Sequence, residues 1–135
     1  MKFPEHVFFR KELSLIVWKP RGVLDEAVVN DMIAFIETAE RRTSKPFKRF
    51  TDLAALDMVD LNFKFVFQVA LFRRLSAAPK PAVKSAFYVT SSAAAHYAKL
   101  HALLTDHSPL DVSLFADHDE AAKWLDVPVE ALTIP

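Results

Sequence analysis

Glycine is almost absent from this chain. One residue of 135, Gly22, is a glycine, whereas average usage would supply roughly 7%. The Walker loop and the dinucleotide-binding fingerprint both need several glycines, so that the backbone can approach a phosphate. The nucleophile elbow of the α/β hydrolases needs two. None of these loops can be built around Gly22 alone, so three large classes of enzyme are excluded.

Cysteine and net charge are also missing. The chain has no cysteine, which excludes disulfides, thiolate zinc sites and a cysteine nucleophile. Lys plus Arg equals Asp plus Glu at 17 each, so no global field draws the protein to nucleic acid or to an anionic membrane. We therefore expect no nucleic-acid partner, and little charge repulsion to oppose self-association.

No targeting or membrane segment is visible. The first six residues, MKFPEH, lack the apolar run of a signal peptide. The most apolar stretch, 61–75, is interrupted by polar and charged residues and is not a membrane span. These features predict a cytoplasmic protein without stable membrane insertion.

Apolar residues are plentiful, at 52% of the chain, and no repeat or linker divides it. We therefore predict one domain over 1–135. Runs rich in β-favouring residues predict strands at 6–9, 13–18, 47–53, 83–89 and 111–115. Helical periodicity and N-capping residues, Asp25 and Asp117 among them, predict helices over 25–42, 61–78, 92–104 and 120–125. The order β-β-α-β-α-β-α-β-α indicates an α/β fold: one mixed, mostly parallel sheet of about five strands with four helices.

Three stretches carry a family resemblance: 15–25 (LIVWKPRGVLD), 49–53 (RFTDL) and 112–125 (VSLFADHDEAAKWL). With this order of elements they resemble the STAS fold, named for sulfate transporters and anti-sigma-factor antagonists. More narrowly, the chain resembles the bacterial SpoIIAA-like family, which is related in shape to the Sec14 (CRAL-TRIO) lipid-binding domains. The resemblance implies a non-enzymatic domain that acts through protein–protein or small-ligand binding, without a cofactor.

One motif departs from that family. Its antagonists carry a phosphorylatable serine in an Asp-Ser-x-Gly turn at the start of the second helix. Here the corresponding residues are Asp60, Leu61, Asn62 and Phe63, so the serine position is a leucine. We expect no serine-phosphorylation switch. An alternative function implied by the Sec14-like shape is a carrier of lipid or of another small apolar ligand.

Polar residues gather where two predicted helices begin. Asp52, Asp57 and Asp60 follow the third strand, where parallel sheets place ligands. These aspartates could hold a ligand or, together with a histidine, carry out acid–base chemistry. They could equally be turn and capping residues, with Asp60 as the N-cap of the second helix. Ser91 and Ser92 could bind an anion at a helix start or simply cap it. We predict neither a catalytic residue nor a metal site: His96 and His101 are five residues apart and do not share a helical face.

The second predicted helix is apolar on more than one side. A sheet can cover one side, so the remainder needs a neighbouring helix, a second subunit or an apolar ligand. We predict a homodimer in which Phe63 and Phe67 form the centre of the contact and Leu71 extends it. If those two phenylalanines face the sheet instead, the outer surface consists of Leu61, Phe65 and Phe72.

A basic run lies between the first helix and the third strand. It places five bases in nine residues: Arg41, Arg42, Lys45, Lys48 and Arg49. The run could receive an acidic partner, or it could be a solvated end of the helix that matches the helix dipole.

Overall fold

A computed structural model of the chain describes residues 5–43, 46–76, 83–104 and 110–133. The strands are β1 (Val7–Arg10), β2 (Leu15–Trp18), β3 (Gly22–Asp25), β4 (Lys48–Asp52), β5 (Leu56–Asp60), β6 (Val83–Tyr88) and β7 (Leu110–Phe115). The helices are α1 (Glu26–Thr43), α2 (Phe63–Ser76), α3 (Ser92–Leu104) and α4 (His118–Leu125), with short 3₁₀ helices at Lys11–Leu13 and Val129–Leu132.

Five strands form one mixed sheet in the order β1-β2-β4-β6-β7. The first pair, β1 and β2, is antiparallel, and every later pair in this sheet is parallel. Along the chain, these five strands and four helices follow the predicted order. Each parallel connection contains a helix, which brings the chain back to the end of the sheet where the next parallel strand begins. The predicted fold class is confirmed.

Two further strands were not predicted. Residues 22–25 and 56–60, interpreted from the sequence as a turn and a loop, pair in parallel as β3 and β5 and form a separate two-stranded sheet. Gly22 begins β3 with φ +74°, a conformation that glycine adopts at little cost. The pairing depends on segments more than 30 residues apart, and neither segment is long enough to show a clear period.

Alternation along the strands gives the main sheet two different faces. On one face, Leu15 and Val17 of β2 and Phe50 of β4 are buried against Ala121 and Leu125 of α4. On the other face, Ile16 of β2 packs in a cluster with residues of α1, and Trp18 packs in a cluster that includes residues of α3. The sheet is therefore the middle of three layers, and the face toward α1 and α3 is the one that matters for the site.

Several capping side chains act as the sequence predicts. Asp25 Oδ1 accepts a hydrogen bond from the Val28 N–H at 3.0 Å at the start of α1, and Asp117 Oδ1 accepts one from the Asp119 N–H at 2.7 Å at the start of α4. Asp60 does not cap α2, however. That helix begins two residues later than predicted, at Phe63, because Asn62 Oδ1 accepts the Phe65 N–H at 2.8 Å.

Candidate functional site

A cavity of about 140 Å³ lies between the second face of the sheet and the helices α1, α2 and α3. Its wall is mainly apolar and includes Ile16, Trp18, Met32, Phe65, Val69 and Phe87. Strand alternation supplies the floor of the cavity, and the apolar stripes of three helices supply its sides. A space of this size among well-packed side chains is notable, because protein interiors hold few voids larger than a water molecule.

The sheet contributes polar side chains to the floor of this cavity. Arg49 and Thr51 of β4 and Ser85 of β6 line it, and Arg49 and Ser85 are paired in the ladder between the two strands. All three are buried. Polar residues at the centre of a parallel sheet are unusual, since such strands are normally apolar on both faces.

Arg49 is the charged residue of the cavity wall. Its Nη2 donates to both carboxylate oxygens of Glu40, at 3.1 and 3.2 Å. Glu40 Oε2 also accepts the backbone N–H of Phe47 at 2.8 Å. Burial lowers the pKa of the Arg49 guanidinium, and the Glu40 carboxylate opposes that shift. The result is a neutralised ion pair that joins α1 to the centre of the sheet.

One donor of this guanidinium is unsatisfied. Among the described residues, no hydrogen-bond acceptor reaches Arg49 Nε, although the atom is buried. A buried donor without a partner costs about 1–3 kcal/mol. Such a group calls for an explanation, and an occupant of the cavity does not supply one, because this atom has almost no accessible surface.

Leu61 is the residue that the sequence resemblance predicts at the serine position of the antagonists' turn. It lines the cavity, and its backbone carbonyl accepts a hydrogen bond from the Tyr97 hydroxyl at 2.5 Å. Tyr97 and His101 of α3 line the same cavity, and the His101 ring lies 5.8 Å from that of Phe87. The segment that begins α2 is thus held to α3 beside the cavity.

Asp52 belongs to a second cluster, at the carboxyl edge of the sheet. Its Oδ1 accepts the Ala54 N–H at 2.9 Å. Its Oδ2 lies 3.5 Å from Nε2 of His118 and 4.0 Å from Nζ of Lys19. The His118 ring lies 4.1 Å from that of Tyr88. Sequence reasoning did not predict these contacts. A signal was present, because Lys19, Asp52 and Tyr88 stand at the carboxyl ends of the neighbouring strands β2, β4 and β6.

Asp57 and Asp60 differ from Asp52 in burial. Both lie on β5 and are exposed, whereas Asp52 is buried at the end of β4. Within the described ranges, no group of three or more acidic or histidine side chains could hold a metal ion. A shared ligand of these three aspartates stays a prediction.

Ser91 and Ser92 are at the start of α3. Ser91 Oγ accepts the Ala94 N–H at 3.1 Å, which is the geometry of an N-cap. Ser92 is the first residue of the helix and is exposed. This hydrogen bond supports the capping interpretation for Ser91.

The basic run does not form one surface. Arg41 and Arg42 are exposed in the last turn of α1, and Lys45 lies outside the described residues. Lys48 Nζ donates to the carbonyl of Leu125 at the end of α4, at 2.6 Å, while Arg49 turns to the opposite face. Two of the five bases are therefore used inside the fold, because neighbouring residues of a strand point to opposite sides.

The sides of α2 are assigned by burial. Phe65 and Val66 are buried and line the cavity. Phe67 and Leu71, one turn apart, are 45% and 43% exposed. The arrangement with Phe65 on the outside is therefore wrong, because Phe65 packs toward the sheet. The side chains of Phe63 and Phe72 lie outside the described residues.

Comparison with known proteins agrees with this architecture. The structure is similar to that of an uncharacterised protein of the DUF3478 family from Shewanella loihica PV-4, described as having a SpoIIAA-like fold. The TM-score is 0.54 at 16% sequence identity, over 82% of this chain and 83% of that chain. The chain thus has a SpoIIAA-like fold, and the predicted resemblance is confirmed.

Sequence comparisons add no family assignment. No protein-family model matches the chain, and no curated protein matches it. At 16% sequence identity, the structural similarity shows the fold and nothing about function. A separate finding concerns membranes: among the described residues, no helix has both the length and the apolar character needed to cross one.

Proposed function

We propose that this protein is a non-enzymatic binding domain that holds a small, mainly apolar ligand in the cavity beneath α2. The observation that carries the proposal is the cavity of about 140 Å³ itself. An engineered cavity of about 150 Å³ with apolar walls stays dry and binds benzene. The cavity here is of that size, but it is partly open and its mainly apolar wall includes three polar side chains of the sheet. It suits a ligand about as large as benzene.

The turn before α2 supports a binding role. The residue that replaces the phosphorylatable serine, Leu61, lines the cavity. Tyr97 holds the backbone of this residue, so the turn contributes a fixed apolar wall. We propose that this segment contacts a ligand and does not act as a phosphorylation switch.

Ethylbenzene is a suitable first probe of the full-length protein. We expect it to bind with a Kd on the order of 0.1–1 mM, which corresponds to about −4 to −5.5 kcal/mol. The measurement is a titration followed by amide NMR shifts, with the largest changes in β4, α2 and α3. Shifts confined to the α4 side of the sheet, or no saturable shifts at all, would contradict a ligand site in this cavity.

A second candidate function is self-association through α2. The specific observation is the outward pair Phe67 and Leu71, which lie one turn apart with more than two fifths of each side chain exposed. Apolar anchors clustered on one surface are typical of interfaces. A twofold dimer is the commonest way to bury such a surface, and the zero net charge of the chain does not oppose it.

The double variant Phe67→Asp/Leu71→Asp tests this dimer. We expect the wild type to sediment as a dimer at tens of micromolar and the variant as a folded monomer, because the contact would bury two carboxylates from each subunit. Analytical ultracentrifugation measures both. The matched control is Val23→Asp/Met58→Asp, whose residues are 42% and 54% exposed and lie on the two-stranded sheet. A monomeric wild type rules out an α2 interface. A monomeric control does so too, because aspartates placed away from α2 would then dissociate the dimer equally.

A further inference from the structure

The two-stranded sheet of β3 and β5 has an inner and an outer face. Leu24 pairs with Val59 in its ladder, and both belong to the apolar cluster that also includes residues of α3. Because side chains alternate along a strand, the neighbouring pair, Val23 and Met58, lies on the outer face. These two side chains are 42% and 54% exposed. The outer face therefore presents an exposed apolar row.

An acidic row lies next to this apolar row. Asp25 and Asp60 pair in the same ladder, two residues beyond Val23 and Met58, so they share the outer face. Asp25 Oδ1 accepts the Val28 N–H, whereas Asp60 is exposed. Among the described residues, no lysine, arginine or histidine forms an ion pair with either carboxylate. Like charges directly opposite each other destabilise a sheet, so a cation beside this row would stabilise it.

The segments that form this sheet are acidic. Residues 21–26 and 56–60 hold four acids and one base. Asp57 lies where the register of the ladder shifts, and it is exposed. Glu26 is exposed at the start of α1, and the base, Arg21, is exposed directly before β3. The chain as a whole is neutral, so this negative patch is a local feature, and it favours a basic partner.

Each strand of this sheet has a strand neighbour on one side only, as far as the described residues show. An unpaired strand edge presents backbone N–H and C=O groups with which another chain can pair, and an extended peptide can add a strand there. In an added strand, residues two positions apart lie on the same face. One such residue would extend the row of Val23 and Met58, and the other would extend the row of Asp25 and Asp60.

We propose that the two-stranded sheet binds an extended segment of a partner protein, which carries an apolar residue and a lysine or arginine two positions apart. The apolar residue packs beside Val23 and Met58, and the cation compensates the charges of Asp25 and Asp60. The cavity is lined by the inner face of this sheet and not by these four residues. The proposal therefore goes beyond the proposed function and does not depend on a ligand in the cavity.

Three blocked peptides of about six residues, the length of an ordinary strand, test this surface. The first carries a valine and a lysine two positions apart in a threonine background. The second has glutamate in place of the lysine. The third has the composition of the first, but its lysine directly follows the valine, so the two side chains point to opposite faces. Each peptide is titrated into the full-length protein, and the amide resonances are followed by NMR.

We expect the first peptide to bind saturably, with the largest shifts in residues 22–25 and 56–60. The glutamate peptide is expected to bind about tenfold more weakly, because its charge repels the acidic row. The third peptide is also expected to bind more weakly than the first, because its valine and lysine cannot reach one face together. Added salt is expected to weaken binding of the first peptide, because it screens exposed charges.

The variant Asp25→Asn/Asp60→Asn removes the two charges and keeps the shape of the row. Asparagine caps a helix about as well as aspartate, so the start of α1 is retained. We expect the preference for the lysine peptide over the glutamate peptide to fall to about twofold or less. The matched control is Asp111→Asn/Asp119→Asn, which removes two exposed charges from β7 and α4. In this control the preference is expected to stay at the wild-type value.

Four outcomes would overturn the proposal. The first is that the lysine peptide causes no saturable shifts in β3 and β5 of the wild type at millimolar concentration, a result that does not require any variant to fold. The second is equal binding of the lysine and glutamate peptides. The third is a full lysine preference in Asp25→Asn/Asp60→Asn. The fourth is a dependence of the β3 and β5 resonances on protein concentration without peptide, which would mean that a second copy of the chain covers this face.

Discussion

Replacing Glu40 with alanine is expected to lower the free energy of unfolding by about 3–5 kcal/mol, the usual cost of removing one partner of a buried ion pair. The Glu40 side chain is 11% exposed and that of Arg49 is 9% exposed. Without the carboxylate, the guanidinium keeps its charge in a site that excludes water, and the Phe47 N–H also loses its acceptor. Equilibrium denaturation in urea measures the loss.

The double variant Arg49→Met/Glu40→Met is the control for this effect. Replacing a buried pair by apolar residues of similar volume is often neutral or stabilising, so we expect it to unfold within about 2 kcal/mol of the wild type. The large cost would then belong to the unpaired charge and not to lost packing. A Glu40→Ala loss below about 1 kcal/mol would mean that water reaches Arg49, and would contradict a buried, charge-compensated pair at the cavity floor.

Filling the cavity from α3 is expected to abolish ligand binding. Ala98 is 4% exposed and lines the cavity, so Ala98→Phe places a phenyl ring in a space of the size that benzene fills. We expect the ethylbenzene Kd to rise more than tenfold. Overpacking costs typically 1–3 kcal/mol, so the variant is checked by circular dichroism before the NMR titration.

Ala93→Phe is the matched control for Ala98→Phe. Ala93 lies on the same helix and is exposed, so the same change there leaves the cavity open and the Kd unchanged. Val69→Phe fills the cavity from α2 and gives an independent result if Ala98→Phe unfolds. Undiminished binding to both cavity-filling variants would place the bound probe elsewhere on the protein.

Local features of the sequence account for the order of the elements. Strands were predicted from runs of β-favouring residues, and helices from 3.6-residue periodicity. The caps at Asp25, Ser91 and Asp117 could be predicted because an N-cap depends on a side chain and an N–H two or three residues away. The scarcity of glycine excluded phosphate-binding loops for an equally local reason. All of these signals lie within one element or at its end.

The candidate site depends on contacts between elements. Arg49 was interpreted as one member of a basic run, and its burial follows from the sheet register and from Glu40 on another element. The pairing of β3 with β5 likewise joins segments that carry no signal for each other. From periodicity alone, either the side of α2 with Phe67 or the side with Phe65 could face outward. The burial of Phe65 excludes the second arrangement.

The sequence by itself determined the four helices and the five strands of the main sheet, and that the apolar residues of α2 exceed what one sheet can cover. The tertiary structure alone decided that part of that excess faces a cavity and that a buried guanidinium donor lies in its wall. The physical reason is that a cavity is the space left between packed elements. Its volume depends on the distances and angles between a sheet and three helices, and no single segment of the chain encodes them.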